Sequence, residues 1–240
     1  MTKQNQIILA IDYSLNGSSF IFGDENGKLW AFKYFSKLKS DHKNPNCSPI
    51  YDETSENKLD NVICAFLQDI NKVDLVVLES RSFNSSNAST SFLDGYSIIS
   101  YLCRRLDIPI IQIPPITNKM FFTDDAKADK KKMVTRAREL YGKEIDFDSI
   151  SSKHQEDVAD SLSLYKIGST YLKCNRLPAP KGCVGTCDIK PFDVLPLNEQ
   201  MVIAKLRGRE DLYNEAKKLR EKKKKLDKSS KWCYYMVGGI

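Results

Sequence analysis

The chain opens on a run of strand-forming residues, Gln6 to Tyr13, that carries Asp12 near its end and stops at a Ser/Asn/Gly turn over 14–17. Two further apolar segments, Ser18 to Phe22 and Leu29 to Phe35, flank the turn sequence Asp24-Glu25-Asn26-Gly27, which is hairpin chemistry. A three-stranded meander is therefore expected. Residues 37–57 are polar, hold two prolines and follow no period, so they read as a surface insertion. Leu59, Val62, Ile63, Phe66, Leu67 and Ile70 then recur at helical spacing, and Val73 to Leu78 forms a continuous apolar run closed by Glu79. That pattern predicts a helix followed by a buried strand.

After a Ser/Asn-rich loop over 80–89 the pattern predicts another helix to about Leu106, and a strand from Ile108 to Ile113 closed by Pro114 and Pro115. A lysine-rich helix over about 127–141 and one over about 153–171 follow. Alternation of strands and helices points to an α/β fold, a mixed sheet flanked by helices. Beyond Cys174 the composition turns to Pro, Gly and Cys, then to a charged helix near 209–226. The expected organisation is a domain over 1–173, with the 37–57 insertion, and a basic extension over 174–240.

Composition narrows the class. With 41% hydrophobic and 28% charged residues among 240, the chain can bury a core. No window approaches eighteen uncharged apolar residues, and the first residues are too short an apolar run for a signal peptide, so the expectation is a cytoplasmic protein without a membrane span. Seven cysteines, an odd number, fit reduced and mostly buried thiols. Cys174, Cys183, Cys187 and Cys233 are enough thiols for a Cys₄ zinc site, but their spacing is not that of a standard knuckle. The net charge of +6 is unevenly placed: 201–240 holds 12 Lys and Arg against 5 Asp and Glu, leaving the rest near neutral. Such a tail suits a polyanion, and is equally a common solvated helix face. Leu212, Ala216, Leu219 and Leu226 share one stripe of it, which predicts docking on a partner or on the main domain.

Acids in apolar surroundings carry the chemical signal. Asp12 and Glu79 end strand-like runs, where a carboxylate pair is costly unless a cation compensates it. The segment His154-Gln155-Glu156-Asp157-Val158-Ala159-Asp160 places Asp157 and Asp160 three residues apart on one helix face. Asp12, Glu79, Asp157 and Asp160 are thus a candidate four-carboxylate site. Oxygen-only donors suit Mg²⁺ or Mn²⁺ rather than zinc, and two such ions implement phosphoryl transfer. His154 reads as a surface residue near a helix N-terminus, outside that site. Singly each motif is weak, since aspartate often caps helices and Asp-x-x-Asp is common on exposed ones.

Ile7 to Ser14 around Asp12, Leu75 to Ser80 around Glu79, the lysine helix 128–137 and the segment 157–164 resemble, in order and spacing, the RuvC-like Holliday junction resolvases of the RNase H-like superfamily. The resemblance covers roughly 6–172 and implies an RNase H-like mixed five-stranded sheet with flanking helices. It also implies a dimeric, two-Mg²⁺ endonuclease that nicks branched DNA, above all four-way junctions, with Mn²⁺ as a substitute. By motif position Asp12, Glu79, Asp157 and Asp160 would hold metal, and Lys130, or its neighbours Lys131 and Lys132, would be the functional lysine. Consecutive helical positions differ by about 100°, so the three lysines cannot all face one ligand. Lys119 corresponds to an upstream lysine that contacts DNA; Arg81 and the aromatic Phe83, one residue late, belong to the same expected DNA surface. Phe83 reads equally as a buried anchor. Departures are Tyr13-Ser14 in place of a glycine, the insertion and the extension. Such divergent members occur in phage and other compact genomes. The alternative is a catalytically inactive nucleic-acid or transcription-complex binding protein on the same scaffold. An RNase H-type activity on RNA:DNA hybrids would differ only in substrate. An actin-like sugar kinase would need glycine-rich phosphate loops that this sequence lacks.

Overall fold

The computed structural model describes residues 5–14, 17–50, 54–80, 90–174 and 192–237, as backbone alone at 55–57, 90–94 and 226–237. The chain divides into two compact units, Met1–Leu172 and Lys173–Ile240. The first contains β1 (Ile7–Asp12), β2 (Ser19–Asp24), β3 (Leu29–Ser36), β4 (Cys47–Pro49), α1 (Ser55–Asp69), β5 (Leu75–Glu79), α2 (Thr90–Arg105), β6 (Ile110–Ile113), α3 (Pro115–Thr123), α4 (Lys130–Tyr141) and α5 (Ser152–Lys173). In the second, α6 (Leu197–Leu206) packs with α7 (Glu210–Val237).

The architecture is α/β, with a mixed sheet in the order β4-β3-β2-β1-β5-β6. The β1–β2–β3 meander is antiparallel, whereas β5 pairs parallel to β1 and β6 parallel to β5. Its second turn, between β2 and β3, closes because the Asp24 carboxylate accepts from the backbone of Asn26 (2.9 Å) and Lys28 (3.2 Å), with Gly27 at φ 95° in the left-handed region. Among the described residues six strands stand where the sequence predicts five. The additional one, β4, is a three-residue piece of the insertion held parallel to β3 by backbone bonds, Tyr34 lying opposite Cys47. The prolines at 114 and 115 do more than close β6: Pro115 is the first residue of α3, a position that lacks an intrahelical partner for its N–H anyway.

Alternation along the strands sorts side chains to two faces. On one, Leu9, Ile11, Phe20, Phe22, Val76 and Leu78 meet Val62 and Phe66 of α1 and Ile99 and Cys103 of α2, all buried. On the other lies α5. Gly168 permits the close approach: a Cβ there would stand 2.8 Å from Val77 Cγ2 and 3.0 Å from Ile8 Cγ2. Tyr165 completes this contact, its hydroxyl donating to the carbonyl of Asp24 at 2.9 Å. Because Ile8, Ala10 and Asp12 share a face, as do Leu75, Val77 and Glu79, the two acids project on the α5 side.

Two expectations need correction. His154 is not a surface residue; it is 1% exposed. The insertion is not merely superficial, since Asp41 and Asn44 are buried within it. On the stripe of the extension, Leu219 is 49% exposed and Ala216 is buried. Of the cysteines, Cys103 and Cys174 are buried while Cys64 is exposed; Cys183, Cys187 and the side chains of Cys233 and Leu226 lie outside the described residues. No helix of the described residues is long and apolar enough to cross a membrane.

Candidate active site

Three segments distant in sequence meet at one end of the sheet. β1 and β5 are parallel neighbours whose last registered pair is Ile11 with Leu78, so the next position on each strand is Asp12 and Glu79. The first turns of α5 cross the same end and carry Asp157 and Asp160. The crossing is fixed by serines. Ser161 Oγ accepts from the backbone N–H of Asp12 at 2.9 Å, and Ser19 Oγ donates to the carbonyl of Asp157 at 2.7 Å. Ser161 Oγ also donates to the carbonyl of Ser19 at 2.9 Å. A buried hydroxyl without partners would cost about 1–3 kcal/mol, and these hydroxyls find theirs across the sheet–helix seam.

Proton affinities report first how deeply the acids are buried and then how closely they crowd. Burial, then the charges of Glu79, Asp160 and Asp157, push the Asp12 carboxyl well above the usual carboxylate range. Burial and the charge of Asp160 raise Glu79 to about 7, against the opposing hydrogen bond from Asn118 and the charge of Lys119. Asp160 is raised to about 6, chiefly by burial, with Lys119 and Lys130 working the other way and Asp157 adding to the rise. Carboxyls that hold protons this firmly lack sufficient positive charge among them. Their all-oxygen donor set, with no thiol or second imidazole in the cluster, fits a hard divalent cation. Asp12, Glu79, Asp157 and Asp160 are the residues that would hold it. Among the described residues no three such side chains are drawn in to ligating distance, so the cluster is open rather than a closed cage.

Cationic side chains rim the acids. Lys119, half-buried on α3, lies close enough to bear on Glu79 and Asp160. Lys130 opens α4, pairs with Glu156 and is mostly exposed; the Glu156 hydrogen bond raises its proton affinity, and its charge reaches Asp12 and Asp160. The helix is capped by Asp129, which accepts from the N–H of Lys132 at 2.8 Å. Lys132 turns instead to Asp125 (2.9 Å), and Lys131 is exposed. Arg81 and Phe83 lie outside the described residues.

Sequence reasoning missed Asn118, Ser161 and Glu156. Asn118 is fully buried beside Lys119 and donates its amide to Glu79 Oε2 at 3.3 Å and to the Asp160 carbonyl at 3.4 Å, while Ser163 donates to its Oδ1. One signal was present: serines at 161 and 163 interrupt the apolar pattern directly after Asp160.

No protein-family model and no curated relative matches the chain. Among solved structures it is similar to RuvC of Thermus thermophilus, at 13% identity and TM-score 0.47 over 68% of this chain and 98% of that one. The same T. thermophilus RuvC in complex with Holliday junction substrate gives 14% and 0.47, covering 68% and 97%. The fowlpox virus resolvase, solved with substrate Holliday junction DNA, gives 16% and 0.43, covering 70% and 99%. At such identities the likeness is one of fold, and the chemistry rests on the residues themselves.

Proposed function

We propose that the chain is a divalent-metal-dependent, structure-selective DNA endonuclease that hydrolyses phosphodiesters in branched DNA, four-way junctions in particular. The observation that carries this reading is the meeting of four carboxyls from three separate segments, three of which, Asp12, Glu79 and Asp160, have proton affinities raised by burial and then by neighbouring carboxylate charge. The motif order that resembles the RuvC-like resolvases supplies the substrate class.

Two Mg²⁺ ions, with Mn²⁺ as a substitute, would supply a hydroxide nucleophile and neutralise charge on the leaving oxygen. The remaining work belongs to the chain. Ser161 fixes the backbone of Asp12 and Asn118 orients Glu79. Lys119 and Lys130 place positive charge beside the acids, where a phosphodiester acquires negative charge in the transition state. Lys131 and Lys132 add positive charge on α4 for the strands, and Arg81 and Phe83 keep the DNA-binding role that the resemblance implies. Paired nicks across a two-fold junction require two sites, so the active species is a homodimer.

The test is cleavage of a mobile four-way junction, a Y-fork, plain duplex and an RNA:DNA hybrid side by side, with and without Mg²⁺. The junction is cut in preference, and Asp12→Asn or Glu79→Gln lowers cutting by ~10³-fold or more while junction binding persists. Binding of junctions without nicking in Mg²⁺ or Mn²⁺ would leave the catalytically inactive alternative; preferred cutting of the hybrid would reassign the substrate.

A further inference from the structure

Asp157 is held differently from the other three acids. One turn earlier on α5, the His154 imidazole stands with Nδ1 2.8 Å from Asp157 Oδ2. A carboxylate that is to ligate a cation can only accept, so Nδ1–H is the donor of this bond. The ring is 1% exposed and the Asp157 side chain 22% exposed, which sets the pair apart from the loosely held ion pairs of a solvated helix face. Behind the ring Tyr34 packs at 5.7 Å between centroids, and Asp41 Oδ2 lies 3.9 Å from Nε2.

Asp41 comes from the polar insertion and is itself anchored. It accepts from Ser36 Oγ at 2.6 Å, and from the N–H and Oγ of Ser151 at 3.2 and 2.9 Å. Asn44 adds bonds to the carbonyl and hydroxyl of Ser149, at 3.3 and 2.9 Å. The insertion thereby grips the residues that open α5 and sets the position of His154. On the opposite side, the turn after β1 closes the space. A Cβ on Gly17 would stand 2.4 Å from Asp157 Oδ2 and 3.4 Å from His154 Cε1, the first closer than real Cβ contacts come. Asp157 Oδ2 is thus confined between an imidazole donor and a glycine backbone.

We propose that His154 is a positioning residue for cation binding: its Nδ1–H fixes one oxygen of Asp157 against the Gly17 turn and so presents the other to a divalent cation, with the Asp41 insertion as the brace. Partners that orient a ligand in this way typically change metal affinity by about 10–100-fold when removed. The inference rests on the reading of the four acids as a metal site. It assigns a task to the 37–49 segment, which otherwise looks like decoration.

The test is Mn²⁺ titration of the DNA-free protein, followed by the electron paramagnetic resonance signal of the free ion, with thermal denaturation of the same samples. His154→Asn keeps an amide donor near the place of Nδ1 but loses the ring, whereas His154→Phe keeps the ring and loses the donor. The expected result is affinity within about threefold of wild type for H154N and a loss of about tenfold or more for H154F. Gly17→Ala leaves the imidazole in place but displaces the carboxylate, and is expected to weaken Mn²⁺ to a similar degree. If H154F binds like wild type, or H154N loses as much as H154F, the donor is not what matters and the inference falls while the metal site stands. Should H154F not fold, unchanged affinity in folded G17A overturns it equally. A wild-type protein with no saturable Mn²⁺ binding removes the metal site and this inference together.

Discussion

The α1/α2 face of the sheet and the end of its α5 face are built from opposite materials. Toward α1 and α2 the buried residues of β1, β2 and β5 are apolar: Leu9, Ile11, Phe20, Phe22, Val76 and Leu78 against Val62, Phe66 and Ile99. Toward α5, at the end of the same strands, the buried or half-buried residues are Asp12, Ser19, Glu79, His154, Ser161 and Ser163. Burying apolar area stabilises at about 25 cal/mol per Å², whereas buried polar groups at best break even when every partner is found. The apolar packing therefore holds the fold, while the polar end of the α5 face is tolerated for its chemistry. The division is physical: farther along α5, Gly168 packs on Val77 and Ile8 and Tyr165 on Gly23, and only the helix's first turns cross the acids.

The comparison breaks first at a large core residue. Phe66→Ala on the apolar face should cost about 3–5 kcal/mol in chemical denaturation, with the Mn²⁺ affinity of the folded protein unchanged. A fall in affinity as large as that of an acid-face variant would mean that the faces are not separable.

A second effect belongs to the acid face alone. Glu79 and Asp160 bind protons more tightly folded, at about 7 and about 6, than at their ordinary values of 4.5 and 3.8. Between those limits the unfolded chain releases protons that the folded chain keeps, so stability is fully present below about pH 4 and is lost as pH rises to about 7. Asp12 acts in the same direction. Thermal denaturation of metal-free protein from pH 5 to 8 should show this decline, and saturating Mg²⁺ at pH 8 should recover it. The smallest effect is on the rim: Lys132→Ala, which removes a partly exposed pair with Asp125, should change stability by less than about 1 kcal/mol in the same assay.

How much could be read beforehand follows the same division. β1 and β5 were legible because each is a short apolar run ended by an acid, and that ending also marked Asp12 and Glu79. Asp157 and Asp160 were legible from their spacing. β4 was not, because a three-residue edge strand is held by backbone bonds and leaves no side-chain period. α3 hid behind two prolines that also signal a strand end. The burial of His154 depends on a brace near residue 41, and the Asp41 to Ser151 bond spans 110 residues. The support for Asp12 spans 149, and no local pattern announces such partners. Asn118 looks like one more polar residue beside a lysine until Glu79 is placed over it.

The central claim is that crowded, proton-holding carboxyls exchange those protons for hard cations. Calorimetric titration of Mg²⁺ into DNA-free protein at pH 6.5, repeated in buffers of different ionisation enthalpy, measures this directly. The prediction is saturable binding with net proton release that fades by pH 8.5 and is lost with the binding in Asp12→Asn. Absence of saturable binding, or the same binding and proton release in Asp12→Asn, would contradict it.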